Sequence, residues 1–249
     1  MNRDLFLAVL AMDSYNRGYN SGIDDLSNDN VGTQLGSAVI IGNADDPAGT
    51  ARAASFYAVA YQWHGETIIS FRGTDDTSFN FSPTDISAWL GGIGSQTGQA
   101  GLAAQFYRDI SPTNNPDVTF TGHSLGGGLA GLMGSLYGRE AVVFDNMAYG
   151  AAAQGVYYNA THPVVPEAIA DLVTYVPNPR YQSTLDTYYR NAPVQPPDSS
   201  HVSGYQVSGQ VLQGTQSTGT ALGSDLHLGM WLSTFQLHSM SLLVTLMYG

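Results

Sequence analysis

The sequence predicts an α/β fold, a mostly parallel central sheet with helices on both faces, and three observations carry that reading. Between residues 102 and 144 helix and strand patterns alternate: Leu102–Ile110, Asp117–Thr121, Leu125–Tyr137 and Ala141–Phe144. Such alternation builds parallel strands joined by crossover helices. Upstream, Ser55–Trp63 and Thr67–Phe71 alternate in polarity around His64-Gly65-Glu66, the pattern of a hairpin. Finally, 249 residues with a hydrophobic fraction of 43% suit one domain, spanning 1–249, with a sizeable core.

The remaining elements follow in order. The opening stretch, Asn2 to Tyr19, reads as an amphipathic helix with Asn2 near its N-cap and Leu5, Val9 and Met12 on one face. Asp4 and Asp13 stand where a signal peptide would carry its basic end and its cleavage site, so no secretory leader is expected here. Ser37–Gly42 is a short strand. Asp75–Gly101 is Gly-rich and irregular, with a short helix near Asp85–Leu90. After Gly150 the periodicity loosens, and about residues 151–200 are expected to form a cap, rich in Tyr and Pro between Tyr157 and Pro197. Ser203–Leu212 alternates and is expected to be the last strand, with Trp231–Met247 a closing helix.

Composition narrows the partners. Charged residues make up 11% of the chain, against about 25% in an average domain. All basic residues are Arg, and the net charge is −12. That balance argues against nucleic acid, which requires basic side chains to neutralise phosphates, and against electrostatic docking on anionic membranes. No apolar run approaches the ~20 residues of a membrane span, so no integral membrane association is expected. A soluble protein, cytoplasmic or exported without a leader, is the expectation. With no Cys there is neither a disulfide nor a thiolate metal site. Neutral, apolar small molecules or lipid esters remain compatible as substrates.

The chemistry concentrates at Gly122-His123-Ser124-Leu125-Gly126-Gly127. It matches G-x-S-x-G, and its surroundings are what that pattern needs. A strand (Val118–Thr121) must end at the first Gly so that the turn is abrupt. A helix (Leu125–Tyr137) must begin directly after Ser124, so that its N-terminus and the Leu125 N–H face a developing oxyanion. The bland alternative is a Gly-rich strand-to-helix turn with an incidental serine.

Together with Ser70-Phe71-Arg72-Gly73-Thr74, this segment resembles the class 3 (fungal-type) lipase family of α/β-hydrolases, over roughly Tyr57 to Gly150. The resemblance implies that Ser124 is the nucleophile and that Thr74 and Leu125 form the oxyanion hole. Arg72 is better read as a member of a structural salt bridge than as a catalytic group.

Chain order in this fold places the acid after the serine and the histidine last. His64 lies in the hairpin turn, His123 within the elbow, and His162 and His201 before the expected last strand. His238 and His227 are left, and His238, where the closing helix opens or is interrupted, is chosen over His227. For the acid, the class 3 pattern calls for Asp after the penultimate strand, where this chain has Gln210. Asp145, at the end of Val142-Val143-Phe144, is the candidate instead, on the sheet edge where α/β folds place their chemistry. Pancreatic-type lipases resemble this arrangement. Asp145 could equally be a strand-end cap, and Asp198 and Asp225 are reserves.

The reading is thus a serine carboxylic-ester hydrolase, of carboxylesterase or triacylglycerol-lipase type, working through an acyl-enzyme without metal or cofactor. Phospholipase A and polyester depolymerase are variants on the same machinery. A non-catalytic binding protein on a hydrolase scaffold is the alternative class. Phe79, Phe81 and the cap are candidates for lining an acyl pocket.

Overall fold

The computed structural model describes residues 2–18, 33–44, 50–74, 98–111, 117–150, 152–154, 157, 195–208, 220–222 and 239–248. Among these, eight strands form a single sheet in sequence order: β1 (Gln34–Leu35), β2 (Ala38–Asn43), β3 (Ala58–Trp63), β4 (Glu66–Phe71), β5 (Val118–His123), β6 (Ala141–Phe144), β7 (Val202–Val207) and β8 (Thr220–Leu222). The first four pair antiparallel. From β4 to β8 every pairing is parallel.

The β3–β4 hairpin turns on two residues, His64 and Gly65, rather than three. Both have positive φ (48° and 89°), which gives the turn the twist that flanking strands need. Between the parallel strands run α3 (Gly98–Ile110), leading from β4 to β5, and α4 (Leu125–Tyr137), leading from β5 to β6. Also among the described residues are the helices α1 (Arg3–Asp13), α2 (Thr50–Ala53) and α5 (Met240–Tyr248).

Strand alternation explains why the sheet is buried on both sides. On one face Ala58, Ala60, Ile69, Phe71, Phe120, Ala141 and Val143 pack under α3 and α4. On the other, Val59, Tyr61, Ile68, Val142, Phe144 and Val207 pack under α1 and α5. A parallel strand covered on both faces reads as a continuous apolar run, as Ala141–Phe144 does. The N-cap of α1 is Asn2, whose Oδ1 accepts from the Asp4 N–H at 3.2 Å.

Three sequence expectations change. The buried face of α1 centres on Leu7, Leu10 and Ala11, each fully buried, while Val9 and Met12 are only half-buried. The reason is that α1 lies between the sheet and α5 and is covered on more than one side. The strand expected over 203–212 ends at Val207 and is followed by β8, so it is not the last. The described part of the closing helix begins at Met240, with Ser239 outside it. The expected helix at Asp85–Leu90, and nearly all of the cap between 151 and 200, lie outside the described residues.

Candidate functional site

Parallel strands converge their carboxyl ends, and the candidate site stands at that edge. β4 and β5 run in register from Thr67 opposite Val118 to Phe71 opposite Gly122. The chain segments leaving them, Arg72-Gly73-Thr74 and His123-Ser124-Leu125, therefore emerge side by side. Ser124 has φ 57° and ψ −123° and links β5 directly to α4. Few L-residues adopt that backbone, and structures hold such strain chiefly where geometry is functional. Its N–H donates to the Phe144 carbonyl at 3.0 Å, and its own carbonyl accepts from Gly128 and Met147 N–H groups, each at 3.0 Å. The turn is thus bolted to the end of β6.

Glycines allow this crowding. A side chain at Gly126 would collide with the Phe71 carbonyl oxygen and lie 2.8 Å from the Arg72 carbonyl carbon. One at Gly122 would strike the Gly126 backbone. One at Gly127 would meet the Asn146 Cβ at 2.7 Å. The helix α4 can therefore bring its N-terminus, and the Leu125 N–H, against the strand end that carries Thr74.

Asp145 follows β6 at the same edge. It is fully buried, with φ 40°. Its N–H donates to the Tyr205 carbonyl at 2.8 Å, and Oδ1 accepts from the Val207 N–H at 2.8 Å. Oδ2 is buried and accepts no hydrogen bond among the described residues. Burial pushes its pKa up to about 8, against a smaller downward pull from the Val207 N–H. Nothing about a strand-end cap requires a second carboxylate oxygen to be left without a donor in the interior, where an unmet acceptor costs roughly 1–3 kcal/mol.

The reserve acid Asp198 falls elsewhere. It precedes β7, whose start pairs with the start of β6, so it stands at the opposite edge of the sheet from Ser124. There it is exposed and caps a 3₁₀ turn by accepting from the Ser200 N–H at 2.9 Å, which lowers its pKa. His201 and His64 lie at that edge too. His123 is inside the elbow, where its ring meets Tyr15. His238, His227 and His162, like Asp225, lie outside the described residues, as do Phe79 and Phe81.

Arg72 is buried, with Nη1 donating to the Arg17 carbonyl at 3.1 Å and its guanidinium 4.9 Å from the centre of the Tyr57 ring. Both are structural contacts, one with a backbone carbonyl and one with a ring. An open cleft of about 550 Å³, lined by His64, Glu66, Asp117, Thr119, Arg139 and Glu140, lies at the amino edge and away from Ser124. Among the described residues no cluster of His, Asp and Glu could hold a metal ion, and no helix is long and apolar enough to cross a membrane.

Two contributors had no sequence signature: Tyr15, which reaches His123 across 108 residues of chain, and Asn146, buried behind Gly127.

Compared with known proteins, the chain matches one family model, phospholipase-like, described as the Tle-like phospholipase domain, over residues 6–237. No curated protein matches it.

Proposed function

The chain belongs to the Tle-like phospholipase domain family, and we propose on that premise that it hydrolyses acyl esters of phospholipids with Ser124 as nucleophile. The family is lipolytic; the phospholipid acyl ester as substrate, the serine mechanism and the residue roles are this proposal's. The observation that carries it is the backbone of Ser124, strained at φ 57° between a parallel strand and a helix N-terminus. That arrangement is costly to hold, and it presents one hydroxyl at the edge where the oxyanion donors stand.

In the proposed reaction Ser124 Oγ attacks the ester carbonyl carbon while His238 takes its proton. The negative charge that develops on the carbonyl oxygen is held by the Leu125 N–H and the Thr74 hydroxyl. The C–O bond then breaks, His238 returns the proton to the departing alcohol, here a lysophospholipid, and the acyl group stays on Ser124. Water, deprotonated by His238, releases the fatty acid and restores the serine. Asp145 Oδ2, with no donor among the described residues, suits the His238 Nδ1–H, fixing the tautomer and stabilising the imidazolium. The FRGT and GHSLGG segments favour class 3-like machinery within this family, and triacylglycerols or short esters would enter the same steps.

The test is hydrolysis of phosphatidylcholine vesicles and of p-nitrophenyl butyrate by the wild type and by Ser124→Ala. Release of fatty acid by the wild type, lost in the variant, is expected. Equal background rates in both would leave the binding-protein reading, in which no histidine completes a triad with Asp145.

A further inference from the structure

We propose that Tyr15 is a positioning residue of this site, bracing the oxyanion strand end against the nucleophile elbow; this rests on the Ser124, Thr74 and Leu125 assignments above. Tyr15 lies in the 3₁₀ turn Ser14–Asn16 that follows α1. Its Oη is 3.0 Å from His123 Nδ1 and 3.4 Å from the His123 carbonyl oxygen. The two rings meet edge to face, with centroids 5.9 Å apart. The same Oη fills the space that a side chain at Gly73 would occupy, and that side chain would also lie 2.7 Å from the His123 carbonyl oxygen. One hydroxyl is therefore wedged where the residue before Thr74 meets the residue before Ser124.

The turn carrying Tyr15 is itself fastened. Asp13 pairs with Arg17 in the interior, and Tyr61 Oη donates to Asp13 Oδ2 at 2.7 Å. Ser14 Oγ donates to the Ala11 carbonyl at 2.7 Å. Arg72 Nη1 donates to the Arg17 carbonyl at 3.1 Å. Residues 13–17 thus grip Arg72, crowd Gly73 and touch His123, the three positions that set where Thr74 and Leu125 point. Buried ion pairs of this kind add little net stability; what they hold well is geometry. Oxyanion donors work only when aimed at the developing charge, and a shift of about 1 Å can cost on the order of 100-fold in rate.

The experiment compares Tyr15→Phe, Tyr15→Ala and Ser124→Ala with the wild type. It reads kcat and KM on p-nitrophenyl butyrate, thermal midpoint, and inhibition by butylboronic acid, whose tetrahedral adduct with a serine places an oxygen where the oxyanion would sit. Tyr15→Phe keeps the ring and loses only the hydroxyl. It is expected to lower kcat roughly 3- to 10-fold, the scale of one hydrogen bond, and to weaken the boronic acid by a similar factor. KM should stay put, and the thermal midpoint should fall by no more than about 2–4 °C, the cost of one hydrogen bond to a domain of this size. Tyr15→Ala should lose more, with phenylalanine restoring part of it. Wild-type kcat and boronic acid affinity in Tyr15→Phe would overturn the proposal, as would a kcat loss that follows the folded fraction while the boronic acid binds unchanged. Wild-type turnover in Ser124→Ala would instead overturn the nucleophile assignment, and this proposal with it.

Discussion

At the residue scale Asp145 is the most informative group, because its two oxygens stand in different surroundings. Oδ1 is held by the Val207 N–H, while Oδ2 is buried without a donor among the described residues. If a histidine supplies that donor, Asp145→Asn presents the ring with the wrong tautomer partner. Its kcat should fall by about 10⁴, the scale seen when a triad aspartate is lost, with the fold intact by circular dichroism. The same carboxyl predicts a pH effect once its partner is gone. In His238→Ala the folded-state carboxyl keeps its proton up to about 8, whereas the unfolded chain releases it near the ordinary value of 3.8. Between those values the folded state binds more protons, so stability falls as pH rises through that window. Urea unfolding of His238→Ala near the two ends of the window should show the loss, and adding Asp145→Asn should remove it. An unchanged slope in the double variant would mean that another group titrates. Under the proposed Asp145–His238 pairing, the wild type should slope less than His238→Ala.

At the element scale the approach of α4 to the end of β4 is what assembles the site. Gly126→Ala would drive a methyl group into the Phe71 backbone carbonyl, with no flexible side chain to yield. A stability loss on the order of 2 kcal/mol is expected, within the range of overpacked positions, together with most of the lipolytic rate. Gly150→Ala, where a Cβ meets nothing within 4 Å, should change neither; equal effects at both positions would disprove the close-approach argument. This element was also the most legible in the sequence. The bounds of α4 and β6 follow from local signals, an abrupt Gly-His-Ser turn, a Gly at the αL C-cap (Gly138, φ 59°) and a short apolar run. Signals that are not local failed. The buried face of α1 depends on α5, more than 220 residues away in the chain. The three-residue strand β8 is too short to show a period. Thr74, Ser124 and Leu125 could be picked out because each sits inside a contiguous motif, and Tyr15 could not, because only the folded chain brings it to His123.

At the scale of the whole molecule, net charge predicts which lipid surface the proposed enzyme prefers. The chain carries a net charge of −12 with only eight basic residues. Several of those are already engaged inside the structure: Arg17 and Arg72 are buried, and Arg3 is clasped between Glu66 at 2.6 Å and Glu140 at 2.7 Å. The positive charge left to meet anionic headgroups is therefore smaller than the count suggests. The field near the surface is negative and extends about one Debye length, ~10 Å in moderate salt and further when dilute. An anionic bilayer raises the local potential barrier for such a protein, while a zwitterionic one does not. Hydrolysis of phosphatidylcholine vesicles should therefore exceed that of phosphatidylglycerol vesicles at low ionic strength. Raising the salt should recover the phosphatidylglycerol rate while leaving the phosphatidylcholine rate nearly constant, because screening removes the repulsion and leaves the ester chemistry untouched. A short soluble ester measured under the same conditions should show no salt dependence, which separates docking from turnover. Faster hydrolysis of phosphatidylglycerol at low salt would show that a local basic contact, and not the net charge, governs how the protein meets its substrate.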